Sequence, residues 1–367
     1  MKERPPQLGE RRLVETVALA SLAVVLACSG DGDSDTSLRT ALVERDVDLD
    51  LLFADPTDAE IDAARADWAG RQLGVRSLRE EAAFTLDEGE SMRVLSHRVG
   101  AQRHYGVVIV PAGEHLPGTL PVLISLVGFG AEMLVEIPTD ARAYDDAYVT
   151  LFPSFRGHEL RVRGQSWMSG GNPYDQCDGG ADDAIAFVNA ALEATPAADA
   201  SSFATIGGSR GGNVGMLIGI RREDVSGVVN IAGPTDYLRE ELLDHPNMVA
   251  LYASHFVRGL LDGTGDLNEA RMRMLTCSPL HFAEDLPPTQ AHHGALDLNV
   301  PFEQAELLAK RMDELRRSPP AFEFFAYEES DHQLSDVRKD IELRVDAFIA
   351  GLSSRDQDAF DTPTRQR

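Results

Sequence analysis

The sequence predicts an α/β domain, with a mostly parallel central sheet covered by helices on both faces and a helical excursion over the carboxyl-terminal edge of the strands. Two features carry that expectation. Short apolar runs alternate with helix-period segments through most of the 367 residues, and strands joined through helices run parallel. Several runs, such as PVLISL at Pro121–Leu126, are almost continuously apolar, as in a strand buried on both sides. A content of 43% hydrophobic and 26% charged residues is that of a globular chain and excludes wholesale disorder or a collagen-like rod.

The elements follow in order. Lys2, Arg4, Arg11 and Arg12 precede an apolar run from Thr16 to Ala27, which is shorter than the ~20 residues a helix needs to cross a bilayer. Residues 1–27 are therefore expected to be a signal peptide. The string Val25-Leu26-Ala27-Cys28 resembles the bacterial lipobox, which implies a lipid on Cys28 and an exported, membrane-tethered lipoprotein; cleavage by an ordinary signal peptidase is the alternative. Residues 28–57 read as an acidic tether. Asp31, Asp33 and Asp35 alternate as in a calcium loop but lack its closing glutamate.

The domain is expected over residues 58–352. Its extension, 58–92, opens with a helical pattern from Asp58 to Leu73, and antiparallel strands follow, one of them ending at Tyr105–Val110. Further strands are expected at Pro121–Leu126, Tyr148–Phe152, Phe203–Ile206, Val225–Ile231, Thr289–His292 and Phe322–Tyr327. Helices are expected at Ala181–Ala194, Gly211–Ile220, Pro301–Arg316 and Val337–Leu352. Residues 238–288 form the excursion between two strands, and 353–367 read as a disordered tail. No repeat with a period of ~20–50 residues recurs, which excludes solenoids and propellers.

The net charge is −26, from 34 basic and 60 acidic residues. An electrostatic grip on nucleic acid or on an anionic membrane surface needs clustered cations, so neither is an expected partner. Membrane attachment is expected only through the lipid. Apart from Cys28, the thiols are Cys177 and Cys277. Both fall in expected loops, and an exporting compartment permits a disulfide between them; two free thiols are the alternative.

The chemistry centres on Gly207-Gly208-Ser209-Arg210-Gly211, which fits G-x-S-x-G. A β-rich run leads in and a helical pattern leads out, the strand, sharp turn and helix of a nucleophile elbow. A serine hydroxyl needs a base and a group to orient that base. Asp297 follows the strand ending near His292, and His332 follows the next strand, the acid-then-histidine order that such an elbow requires. Asp331 is the rival acid, but a sequence neighbour of His332 points away from it in an extended loop. His292 and His293 lack a further ligand cluster with zinc spacing, so no metal is expected there, and a serine nucleophile with its base and acid calls for no organic cofactor.

From about Arg93 to Leu352 the chain resembles the α/β-hydrolase superfamily, in particular the prolyl-oligopeptidase-like and dienelactone-hydrolase-like serine hydrolases. The resemblance is carried by GGSRGG around Ser209, HHGALDLNVP around Asp297, SDH around His332, Phe155–Gly157, GPTDY after Gly233 and DDAIAFVNAAL before the elbow. It implies the α/β-hydrolase fold and an acyl-enzyme on Ser209, with His332 as base and Asp297 orienting it. The oxyanion would be held by the amide of Arg210 and by one from the Gly128–Phe129 turn, the choice between the last two being open. That turn lacks the histidine of the family's HGG loop, and Phe155 replaces a tyrosine common before RG. Peptidases of this family gate the site with a propeller, for which the stretch before the first strands has no room. Small or medium acyl esters are therefore expected as substrates, with a propeller-free serine peptidase of the prolyl-oligopeptidase type acting on short peptides and a catalytically inactive binding lipoprotein as alternatives. Trp167, Tyr237 and Phe256 are the expected pocket walls.

Overall fold

The computed structural model describes residues 37–129, 133–138, 141, 143–144, 147–245, 248–315 and 321–361, with 353–361 as backbone alone. The expected signal peptide and Cys28 lie outside these residues. The described residues form twelve strands: β1 (Arg79–Thr85), β2 (Ser91–Val99), β3 (Gln102–Val110), β4 (Leu120–Leu126), β5 (Leu134–Ile137), β6 (Val149–Pro153), β7 (Glu159–Val162), β8 (Gln165–Met168), β9 (Ala198–Gly208), β10 (Val225–Ile231), β11 (Thr289–Gly294) and β12 (Phe322–Tyr327). The helices are α1 (Leu38–Val43), α2 (Leu49–Leu52), α3 (Asp58–Gly70), α4 (Asp178–Ala194), α5 (Arg210–Arg221), α6 (Val249–Leu251), α7 (Arg258–Asp262), α8 (Leu267–Thr276), α9 (Glu303–Glu314) and α10 (Arg338–Asp361).

The main sheet has nine strands in the order β1-β2-β3-β6-β4-β9-β10-β11-β12. Its first four strands pair antiparallel, and from β6 to β12 every pairing is parallel. Alternation along the strands explains the unbroken apolar runs. In β4, Val122, Ile124 and Leu126 join the core beneath α4, α5 and α9, while Leu123 joins the core beneath α10. In β10, Val228 faces the first core and Val229 and Ile231 face the second. Both faces are covered, so neither needs polar residues.

Three features depart from the sequence reading. The stretch read as a solvated tether holds α1 and α2, capped by Ser37 and Asp48. Leu38, Leu42 and Leu52 are buried in the core that includes the excursion, and Arg271 donates to the carbonyls of Leu51, Leu52 and Ala54, so a few leucines outweigh the acidic composition. The last helix continues to Asp361 instead of giving way to a tail at 353, because no glycine or proline interrupts the chain between Gly351 and Pro363. A second sheet, β5-β7-β8, covers a separate core of Val94, Val107, Ile109, Phe152, Val135 and Leu160.

Cys177, immediately before α4, and Cys277, immediately after α8, form a disulfide with Cα atoms 5.4 Å apart across 100 residues of sequence. It ties the excursion to the helix before the elbow strand. Closing so long a loop contributes up to ~4.7 kcal/mol by restricting the unfolded chain. The Cys177→Ala/Cys277→Ala double variant is therefore expected to lose ~2–5 kcal/mol in urea unfolding. Unchanged stability, or alkylation of both thiols in the native unreduced protein, would contradict the bridge.

Candidate active site

Ser209 stands between β9 and α5 with φ 52° and ψ −124°, a conformation that costs a non-glycine residue ~1–3 kcal/mol. The neighbouring glycines make the turn feasible. A Cβ on Gly207 would run into the backbone of Gly211, and one on Gly211 into the carbonyl of Leu126. The Ser209 N–H donates to the Ile231 carbonyl at 2.7 Å, which fixes the turn against β10. The serine thereby caps a twelve-residue helix, whose N-terminus favours negative charge.

The other two residues arrive at the same sheet edge. Register places Gly208 beside Ile231, Ile231 beside His292, and Gly294 beside Tyr327, so the turns after β9, β11 and β12 emerge side by side. Gly294 packs against the carbonyls of Ser330 and Asp331, where a Cβ would not fit. His332 Nδ1–H donates to Asp297 Oδ2 at 2.7 Å, and this leaves Nε2 as the basic nitrogen. Asp297 Oδ1 accepts from the amides of Asn299 (2.8 Å) and Val300 (2.9 Å).

A second histidine reaches the same acid, which sequence reasoning missed. His293 Nε2–H is shared between the Val300 carbonyl at 3.0 Å and Asp297 Oδ2 at 3.2 Å. Burial alone would raise the Asp297 carboxyl; hydrogen bonds from His293, His332 and the Val300 amide outweigh it and hold the group well below the usual carboxylate range. Asp297 is thus an ionised hydrogen-bond acceptor at any physiological pH. Asp331 is exposed and receives the Gln333 amide at 2.9 Å.

Gly128 lies against Ser209, a Cβ placed on it falling 3.5 Å from Ser209 Cβ. A cavity of about 320 Å3 opens over Ser209, lined by Phe129, Tyr237, Met248, Leu251 and His255 among others. Part of this wall comes from the excursion. There a π-helical turn, Tyr252–Phe256, closed by the Val257 amide on the Tyr252 carbonyl at 3.0 Å, carries Ser254 and His255 to the cavity. Such turns concentrate at functional sites. Burial pushes His255 down to about 4, so it faces the cavity as neutral imidazole.

Of the expected walls, Tyr237 lines this cavity. Phe256 packs on Tyr237 at 4.8 Å and lines the adjoining cavity with Tyr174. Trp167 does neither: it lies in β8, opposite Leu160 of β7, and packs on the core beneath the small sheet. No sequence pattern signals that sheet, whose pairing sets Trp167 opposite Leu160 and not over Ser209.

The sequence pattern of the prolyl oligopeptidase family matches residues 141–353. Among curated proteins none matches in sequence. Among solved structures the chain is similar to acetyl xylan esterase 1 from Thermoanaerobacterium sp. JW/SL YS485, at 17% identity and TM-score 0.58 over 80% of this chain and 93% of that one. It is also similar to an acetyl xylan esterase from Paenibacillus sp. R4, at 16% identity and TM-score 0.54 over 82% and 98%. A dipeptidyl peptidase 4 from Porphyromonas gingivalis aligns at 15% identity and TM-score 0.50, over 76% of this chain and 36% of that one.

Proposed function

The chain belongs to the prolyl oligopeptidase family of serine hydrolases, and from that premise we propose that it is exported and cleaves carboxylic esters through an acyl-enzyme on Ser209. Ser209 Oγ attacks the acyl carbonyl as its proton passes to His332 Nε2, while Asp297 holds the imidazole and balances the imidazolium. The oxyanion faces the Arg210 amide and a second amide from the Gly128–Phe129 turn. The tetrahedral adduct collapses, breaking the bond to the alkoxy group, and His332 protonates the departing alcohol. Water then repeats the sequence and releases the carboxylic acid. Among the described residues Ser209 Oγ carries no hydrogen bond, so this reading has the Ser209–His332 hydrogen bond form when substrate arrives.

The observation that carries this reading is the Asp297–His332 hydrogen bond beside a serine held in the elbow conformation. Small and medium acyl groups suit the apolar side chains over Ser209. Among the described residues no carboxylate lines the cavity over Ser209; the carboxylates of Asp175 and Asp178 line the adjoining one. Export is supported by the leader at 1–27 and by the Cys177–Cys277 bridge, a crosslink of oxidising compartments; a lipid on Cys28 would then tether the enzyme to a membrane.

Nitrophenyl acetate and butyrate are expected to be turned over with higher kcat/KM than aminoacyl or dipeptidyl nitroanilides. Hydrophobic walls discriminate by only ~1–3 kcal/mol per methylene, so several acyl lengths should be accepted. Efficient anilide turnover beside negligible ester cleavage would overturn the ester assignment and make the protein a peptidase.

A further inference from the structure

To serve an oxyanion, the residue after the nucleophile needs only its backbone N–H, yet here its side chain is a deeply buried arginine. Arg210 is 7% exposed. Its Nη1 donates to His158 Nε2 at 2.9 Å and Gln176 Oε1 at 2.6 Å, and its Nη2 donates to the Gly128 carbonyl at 2.8 Å. The guanidinium lies 4.5 Å from the Phe155 ring centre and 5.7 Å from that of Phe129. Arg71, Arg156, Arg221 and Arg271 each meet an aspartate or glutamate. Arg210 meets no carboxylate among the described residues, and its buried Nε–H has no acceptor.

Among the described residues the surroundings add no counter-charge. His158 Nδ1–H donates to the Arg156 carbonyl at 3.0 Å, which leaves Nε2 as the acceptor. Burial, with Arg210 beside it, holds His158 down at about 3, so it is neutral. Burial pulls the Arg210 guanidinium down to about 9, which keeps it cationic at neutral pH. A buried cation without a carboxylate partner among the described residues is costly, and the hydrogen bonds to His158, Gln176 and the Gly128 carbonyl are what hold it there.

The clamp on Gly128 also sets direction. In a trans peptide the C=O and the following N–H point opposite ways. A Gly128 carbonyl held by Arg210 therefore turns the Phe129 N–H away from the arginine, and that N–H has no acceptor among the described residues. Gly128 itself lies against Ser209.

On the serine-hydrolase reading above, we infer that the Arg210 side chain is a positioning residue. It orients the Gly128–Phe129 peptide, by holding the Gly128 carbonyl, so that the Phe129 amide is the second oxyanion donor. The phenyl ring of Phe155 serves as the platform for this guanidinium.

The test compares wild type with Arg210→Met and Arg210→Lys, both of which keep the backbone amide, using nitrophenyl butyrate and an alkyl boronic acid that forms a tetrahedral anion on Ser209. Arg210→Met is expected to lower kcat by ~10²–10³-fold, with KM changed by less than about threefold. Boronate affinity should fall by the same factor as kcat. Arg210→Lys should recover part of both, since it keeps the charge and loses the fork. If Arg210→Met does not fold, Gln176→Met removes one anchor of the guanidinium, and kcat and boronate affinity should again fall together. A variant that keeps wild-type kcat, or loses turnover with boronate affinity unchanged, overturns the inference alone. Wild-type protein that neither cleaves the ester nor binds the boronate overturns the function and the inference together.

Discussion

Ser209→Ala is expected to lower ester hydrolysis by about 10⁶-fold, the scale on which removing a triad nucleophile acts, while the protein stays folded. The chemical loss is complete because no other hydroxyl stands at the tip of the elbow. The structural loss is small because the side chain contributes no hydrogen bond among the described residues. The turn is held by what remains: the Ser209 amide on the Ile231 carbonyl and the close approach of Gly207 to Gly211. Loss of activity with an unchanged melting temperature supports the assignment. Activity that persists near wild type moves the nucleophile elsewhere.

Asp297→Asn is expected to lower kcat by ~10⁴-fold, and Asp331→Asn by less than about threefold. Asp297 Oδ2 accepts from His332 Nδ1–H and from His293 Nε2–H. An amide nitrogen in that position cannot accept, so His332 would carry its proton on Nε2 and lose the lone pair that takes the serine proton. With the asparagine turned the other way, its nitrogen would meet the Asn299 and Val300 amides that Asp297 Oδ1 now satisfies, so neither orientation is good. Asp331 only closes a local turn at Gln333. Steady-state kinetics of the two variants decide between them, and the reverse ranking would sink the choice of Asp297.

The parts of this molecule that were legible in its sequence are those whose signal is local. β10 and β12 occupy the expected Val225–Ile231 and Phe322–Tyr327; in β10 burial accompanies almost the whole apolar run, whereas β12 is the edge strand and half-buried to exposed, marked by its aromatic residues. The elbow was legible because glycines are forced where backbones touch, and Asp297 and His332 because each follows a strand. The strands β5, β7 and β8 are four residues long, and none carries enough alternation to stand out. α1 and α2 depend on leucines that find their core in the excursion, far along the chain. His293 reaches Asp297 only because the turn after β11 folds back. Arg210 spans residues 128, 158 and 176, a clamp that no sequence spacing reveals.

The central claim, an acyl-enzyme on Ser209, is tested most directly by labelling the native protein with a fluorophosphonate and mapping the adduct by mass spectrometry. The expected result is one adduct, on Ser209, whose formation is blocked by an excess of the boronic acid and absent in Ser209→Ala. An adduct on another residue, or none in a preparation that hydrolyses esters, would contradict it.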